Sequence, residues 1–411
     1  MNLESNTAGN IHLTYLAPGD VLKGRVEPTI WMRMCDSFAK TGMNVALVTV
    51  YAYRKENVRR GEIFEHYGLD NHNFKLTILP TPFNAEPHLL WYRSWTAATN
   101  FVYGVYLALF LKFAKFKHLI FYSRSPIAML PYLYLKRLFK HSGKVSFFLE
   151  THALPTSPGA VRVFKEVDGV IVSSRKLAAD MENVLGISRD RLHVAYLAAN
   201  ALPSTITYEE ARKELGLDPE RRFILYTGKL LMPEVCLMLD AAEVLARTVP
   251  AAQMVFVGGN AKILAECKAE ITRRNLQNVS FTGFVAPARV ALYQKAADAL
   301  MLYLVSDRNI INYITPSKVF DYLQAGRPII ASDYPILHEI LEHNRNAVFV
   351  RPHEPAELAS ELKRVLETPE LADGLSKCAE VDSRQYSWRE RVGSICKFMQ
   401  RIHGEKHAST S

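Results

Sequence analysis

Short apolar runs alternate with amphipathic stretches along most of the chain. IHLTYLAP, NVALVTVYA, HLIFYS, VSFFLE and GVIVSS read as buried strands, and residues 28–41 and 126–140 between them carry apolar side chains at helical spacing. A second series begins after residue 205 with RFILYTG, AQMVFVGG, NVSFTG, DALMLYL, PIIASD and AVFVRP. Helical patterns, including 241–248 and 262–274, separate these runs. Continuous apolar strands are covered on both faces, and βα alternation predicts parallel sheets flanked by helices. The expected fold class is therefore α/β, with two doubly wound, Rossmann-like domains in tandem.

The expected division is residues 1–202 with a returning C-terminal helix 386–411, and residues 203–385. The join falls near ANALPSTITYEEAR, where turn formers interrupt the pattern. QYSWRERVGSICKFMQRI reads as a last amphipathic helix and HGEKHASTS as a frayed end. Ligands of open parallel sheets bind beyond the carboxyl ends of the strands. Two sheets facing a cleft would hold a ligand between them.

The 411 residues exceed one ordinary core, which agrees with two domains. The opening MNLESNTAGN is polar and reads as no secretory leader. Five scattered cysteines without a CxxC pair point to a reducing compartment, with neither a disulfide framework nor a zinc site. A cytoplasmic location is expected. The net charge of +9 is uneven: residues 1–205 hold 24 Lys and Arg against 15 Asp and Glu, and the remainder holds 26 of each. The basic first half suits an anionic partner, such as an acidic substrate or an anionic membrane surface. Without a basic tail, zinc finger or RNP-like motif, nucleic acid is not expected.

Residues 94–111 are free of charge, near the lower length for a membrane span, but their first third is polar. Lys112, Lys115 and Lys117 follow among aromatics. A buried helix with a basic, aromatic end fits better. Such an end either rests on a headgroup layer, peripheral on the inner face of the cytoplasmic membrane, or is simply solvated.

Four segments could carry chemistry. In TPSKVFDYLQAGRPIIASD, Thr315 reads as an N-cap and Pro316 as the first helical residue, leaving the amides of Ser317 and Lys318 to face an anion. Gly326 reads as the helix stop. An ordinary capped helix would look the same. In LYTGKLLMPE, Gly228 and Lys229 follow a strand, and in VFVGGN two glycines follow another. A tight turn explains the glycines as well as close approach to a ligand does. In FLETHALPTSPG, Glu150 and His152 stand at a strand's carboxyl end, where Arg124 of FYSRSP could reach them. The first βα junction is APGDVLKGRV rather than a GxGxxG fingerprint, and no GxSxG, HExxH or P-loop appears.

Taken in order, ILYTGKL, MVFVGGN, NVSFTGFV, YQKAADALMLYL, TPSKVFDYLQAGRPIIASD and ILHEILEHNRNAVFVRP resemble glycosyltransferase family 4. These are retaining nucleotide-sugar transferases with the GT-B fold, of the glycosyl transferases group 1 type. The resemblance implies roles. Ser317 and Lys318 amides would hold the donor diphosphate, with Thr315 and Gly228 beside them and Lys229 in place of the usual arginine. Asp321 would bind the ribose, and the backbone of Phe284 and Val285 the base. Gly24 and Arg25 would approach the diphosphate from the first domain, and His152 would sit near the transferred sugar, with Arg124 and Glu150 on the acceptor side. His152, Lys229 and Lys318 would carry the reaction. Tyr313 and Asp321 stand where the family has two glutamates, and Glu234 where a second basic residue is usual. A subgroup with a proline-x-lysine helix start is the nearest likeness.

The implied function is transfer of a sugar from a nucleotide-sugar donor to a glycan or lipid-linked acceptor, in the synthesis of cell-surface polysaccharide or glycoconjugates. No cofactor and no metal are expected, since helix amides and lysines can stabilise the leaving diphosphate. A non-catalytic partner subunit that kept the fold, or a nucleotide-sugar epimerase, are the alternatives.

Overall fold

The computed structural model describes residues 11–21, 26–51, 60–69, 73–80, 101–102, 104–110, 117–135, 144–199, 206–305, 312–313 and 315–408. Two compact units emerge: Met1–Tyr196 with Trp388–Ser411, and Leu197–Ser387.

The first unit contains β1 (Ile11–Asp20), β2 (Asn44–Tyr51), β3 (Lys75–Pro80), β4 (His118–Ser123), β5 (Lys144–Thr151), β6 (Gly169–Val172) and β7 (Leu192–Val194). They pair in parallel in the order β3-β2-β1-β4-β5-β6-β7. The central strands are the apolar runs of the sequence. Phe121 of β4 stacks on Phe147 of β5 with ring centres 5.2 Å apart, and both are buried. Each such ring removed from water contributes about 1.5–3 kcal/mol. The edge strands β3 and β7 are missing from the expected set. KLTILP is only partly buried, and β7 has three residues.

The second unit contains β8 (Arg222–Thr227), β9 (Ala252–Val257), β10 (Val279–Gly283), β11 (Ala299–Leu302), β12 (Ile329–Ser332) and β13 (Val348–Val350). Their order is β10-β9-β8-β11-β12-β13, again parallel. One buried carboxylate ties the base of this sheet together. Asp298, just before β11, accepts from Arg212 (3.1 Å), Tyr208 (2.9 Å) and the Phe223 amide (2.7 Å).

Strand order reverses between β1 and β4 in one unit and between β8 and β11 in the other. Ligands of doubly wound sheets bind outside the carboxyl ends at such reversals.

The chain's end differs from expectation. HGEKHA is not frayed but forms the last turns of the Trp388–Ala408 helix. Polar contacts hold it to β4 and β5. His403 is buried, with Nδ1 2.8 Å from the Ser146 hydroxyl and Nε2 3.1 Å from His118. Lys406 donates to the Val145 carbonyl (2.9 Å) and to Asp168 (2.8 Å). No helix among the described residues is long and apolar enough to cross a membrane.

Candidate functional site

In the second unit, the turns that follow β8 and β9 press against each other. Gly228 leaves β8 with φ +120°, and its amide donates to the Val257 carbonyl (2.9 Å). Gly258 has φ +128°, and a Cβ placed on it would lie 2.1 Å from the Gly228 carbonyl oxygen. Both conformation and space therefore demand glycine at 258.

Lys318, the first residue of the Lys318–Ala325 helix, reaches over this turn. Its ammonium lies above the Tyr226 ring, and a Cβ on Gly228 would stand 3.5 Å from it. Burial lowers the Lys318 pKa to about 8, and Glu234 acts in the opposite direction. Glu234 is buried in the first turn of the Met232–Thr248 helix. The Tyr226 hydroxyl donates to the Lys229 carbonyl (3.1 Å) and lies 3.5 Å from Glu234 Oε2. The Lys229 side chain is exposed beside this arrangement. Asp321 is half-buried one turn along the helix from Lys318.

The helix start corrects one expectation. Thr315 is not its N-cap. The Val319 amide donates to Pro316 O (3.0 Å) and the Phe320 amide to Ser317 O (3.2 Å), a tight i→i+3 turn that delays the helix to Lys318. Ser317 occupies the cap position without a side-chain capping bond, and the Thr315 hydroxyl is buried without a hydrogen-bond partner among the described residues. Gly326 ends the helix in the left-handed conformation, φ +60°.

Two supporting residues carry no sequence signal. The Tyr322 hydroxyl accepts from the Thr227 amide (3.0 Å) and donates to the Met301 carbonyl (3.3 Å), which fixes the helix to the ends of β8 and β11. Gln294 donates to the Thr227 hydroxyl (3.3 Å). An apolar-looking tyrosine on a helix reads as core, and only tertiary packing reveals its hydroxyl's task. Phe284, after β10, is 85% exposed, with Val285 half-buried next to it. Tyr313 is half-buried. Gly24 and Arg25 lie outside the described residues.

In the first unit, Arg124, Glu150 and His152 come together at the carboxyl ends of β4 and β5. Glu150 is 1% exposed. Burial alone would raise its pKa, but Arg391, Arg124 and His152 hold it well below the usual carboxylate range. Arg391 Nη2 lies 2.8 Å from Oε1, and the Tyr122 hydroxyl donates to Oε2. His152 Nε2 meets Arg124 Nη2 and lies 3.1 Å from Glu150 Oε1. Burial, then the Arg124 charge, lowers the His152 pKa. Arg391 belongs to the C-terminal helix, 241 positions beyond Glu150, so sequence reading did not connect them. Among the described residues no three His, Cys, Asp or Glu side chains gather as a metal-ligand set.

Residues 221–368 match the family described as Glycosyl transferases group 1. The chain is 27% identical over 228 residues to a putative teichuronic acid biosynthesis glycosyltransferase, TuaC, of Bacillus subtilis, covering 53% of this chain and 54% of that one. It spans little more than half the length of the curated relatives it matches. Among solved structures, sucrose-phosphate synthase from Thermosynechococcus elongatus aligns with a TM-score of 0.72 at 16% identity, over 96% of this chain and 99% of that one. Anabaena HepE in complex with UDP-glucose aligns with a TM-score of 0.65 at 14% identity, over 95% of this chain and 99% of that one. The second unit is thus a glycosyl transferases group 1 domain, carried within the two-sheet, Rossmann-like fold of GT-B glycosyltransferases.

Proposed function

We propose that the protein is a retaining, metal-independent glycosyltransferase that moves a sugar, of hexose type, from a nucleotide-sugar donor to a glycan or lipid-linked acceptor. The observation that carries this reading is the Lys318 ammonium over Tyr226, directly above the Gly228 turn at the β8/β11 reversal. A cation at a strand-to-helix turn, beside the first amides of a helix, is a site for a diphosphate. Lys318, Lys229, Ser317 and Thr315 are assigned to the diphosphate, Asp321 to the ribose, Phe284 and Val285 to the base, and Tyr313 to the sugar. Gly24 and Arg25 are assigned to the diphosphate from the first unit, His152 to the transferred sugar, and Arg124 and Glu150 to the acceptor side. The UDP-glucose held by HepE supports a nucleotide sugar, and the likeness to TuaC supports synthesis of a cell-surface polysaccharide.

In the proposed reaction, the bond from the anomeric carbon to the diphosphate oxygen breaks as a bond to the acceptor oxygen forms on the same face. The acceptor proton passes to the diphosphate. The positive groups around Gly228 stabilise the charge left on it.

The first unit also carries an exposed apolar stripe: Phe101 (65%), Val105 (39%) and Leu109 (50%), one helical turn apart. Together with the basic bias of residues 1–205, it supports contact with an anionic membrane on the cytoplasmic side. Replacing Phe101 and Leu109 with serine should reduce sedimentation with anionic vesicles; undiminished sedimentation would remove the membrane from the proposal.

Tyr313 and Glu234, each in place of the family's usual charged residue, favour one second reading, a non-catalytic partner subunit. Calorimetry with a panel of nucleoside diphosphates is the first test, and failure to bind any of them sinks the transferase. Binding followed by acceptor-dependent release of nucleotide from a nucleotide sugar supports it over a partner subunit.

A further inference from the structure

The strands that flank the reversal in the second unit are joined by a side chain where the backbone ladder should continue. β8 and β11 are in parallel register at Ile224 with Ala299 and at Leu225 with Leu300. β8 runs on to Thr227 and β11 to Leu302. The same register would next pair the Thr227 amide with the Met301 carbonyl. The Tyr322 hydroxyl stands in that place instead. It accepts from the Thr227 amide (3.0 Å) and donates to the Met301 carbonyl (3.3 Å).

The direction of every proton here follows from its neighbours. A backbone amide only donates and a carbonyl only accepts, so the single Tyr322 proton goes to Met301. The Thr227 hydroxyl, 3.2 Å from Tyr322, must then give its own proton to the phenol oxygen. Having donated, it accepts from Gln294 Nε2 (3.3 Å). Tyr322, Thr227 and Gln294 are all buried. A phenylalanine would fill the space of the Tyr322 ring, so packing accounts for the ring and not for the hydroxyl. The helix that carries Tyr322 also carries Lys318, four residues earlier and therefore on the same face. Lys318 lies over the ring of Tyr226 and 3.5 Å from where a Cβ on Gly228 would stand. One helix face thus grips three consecutive residues, Tyr226, Thr227 and Gly228, at the end of β8.

We infer that Tyr322 is a positioning residue for Lys318: its hydroxyl, spliced into the β8/β11 ladder, holds the two strands apart at the reversal and fixes the ammonium above the Gly228 turn. Without the hydroxyl, the Thr227 amide and the Met301 carbonyl are free to pair directly, and the helix start loses its anchor to the end of β8. The significance for donor binding rests on the transferase reading; the placement of Lys318 does not.

The test uses NMR of the full chain. In wild type, the Tyr322 hydroxyl proton should persist as a slowly exchanging signal with a cross-peak to the Thr227 amide. A coupling across a direct hydrogen bond, from the Thr227 nitrogen to the Met301 carbonyl carbon, would overturn the proposal without any variant. In protein carrying ¹³C at the lysine ε-carbon, the Lys318 signal is assigned by its loss in Lys318→Met. It should lie upfield of the other lysines, shifted by the Tyr226 ring beneath it. Tyr322→Phe removes the hydroxyl alone and should return that signal towards the rest. A Lys318 signal that stays in place would leave the hydroxyl a stability role only and overturn the proposal, whatever happens to the unfolding midpoint. Affinity for UDP, GDP and ADP, read by calorimetry, should fall about tenfold in Tyr322→Phe for whichever of them wild type binds. Unchanged affinity would contradict the proposal. Failure of wild type to bind any of them would strike the transferase reading and leave the NMR results to decide the placement of Lys318.

Discussion

The Lys318 ammonium sits 3.9 Å from the centre of the Tyr226 ring. The face of a phenol ring attracts a cation, which offsets part of what burial costs it. Among the described residues the lysine is thereby kept beside the Gly228 turn without a salt-bridged carboxylate, ready to exchange the ring for an anion.

A pH dependence follows. Burial holds Lys318 at about 8, below its ordinary value, so the free protein sheds this proton as pH rises through 8. A bound diphosphate needs the proton. Nucleoside diphosphate affinity should be flat below pH 8 and fall above it by up to about tenfold per pH unit. Calorimetry across this range checks the slope, and Lys318→Met should abolish it while weakening binding throughout.

Glu234 raises the Lys318 value. Glu234→Gln should therefore shift the break in the affinity profile to lower pH. A break that stays in place would mean the two charges do not communicate.

Gly258 and Gly186 make a matched pair. Both have positive φ, +128° and +67°, but a Cβ on Gly258 meets the Gly228 carbonyl oxygen at 2.1 Å, whereas one on Gly186 meets nothing within 4 Å. Gly186→Ala should cost about 1–2 kcal/mol from conformation alone. Gly258→Ala should cost about 3 kcal/mol or more, because strain and overpacking add. Urea unfolding measures both, and equal losses would mean the turns after β8 and β9 are looser than described.

Asp298→Ala strands Arg212, which is buried against it. Removing one member of a buried pair costs about 3–5 kcal/mol. The loss should appear in the unfolding of the second unit and leave that of the first unchanged.

Acid should weaken the first unit. His12, His193 and His403 each lie near 4, lowered chiefly by burial, with Lys75, Arg391 and His407 respectively as the next contributors. These folded-state values are below the ordinary 6.5, so the unfolded chain takes up the protons first as pH falls. Stability is full above pH 6.5 and declines from 6.5 towards 4. Hydrogen exchange at pH 7 and pH 5 should show lost protection in β1, β4 and β5. Equal protection at both values would contradict this.

Central strands were legible because each is an apolar run of the length a buried strand needs; HLIFYS coincides with β4 residue for residue. The edges were not, since β3 is half polar and β7 too short to carry a pattern. Of the candidate site, Gly228 and Lys318 were visible as punctuation around strands and helix starts. Tyr226 and Tyr322 were hidden, because a buried tyrosine and a core phenylalanine write the same periodicity. Arg391 was hidden for a different reason. Its partner is distant in the chain, and a lone arginine on an amphipathic helix reads as a solvated face. The docked end of the Trp388–Ala408 helix was missed because HGEKHA is polar; its grip on β4 and β5 is made of hydrogen bonds, which hydrophobic patterning cannot register.

The first unit is assembled from both ends of the chain, whereas the second is one continuous stretch. During synthesis the second unit is complete once residue 387 has emerged. The first still lacks the helix that covers β5 and carries Arg391 and His403. The usual order, in which the N-terminal domain folds first, is thus reversed at the final step. Until the Trp388–Ala408 helix has emerged, the face that will receive Phe398 and Met399 stays open.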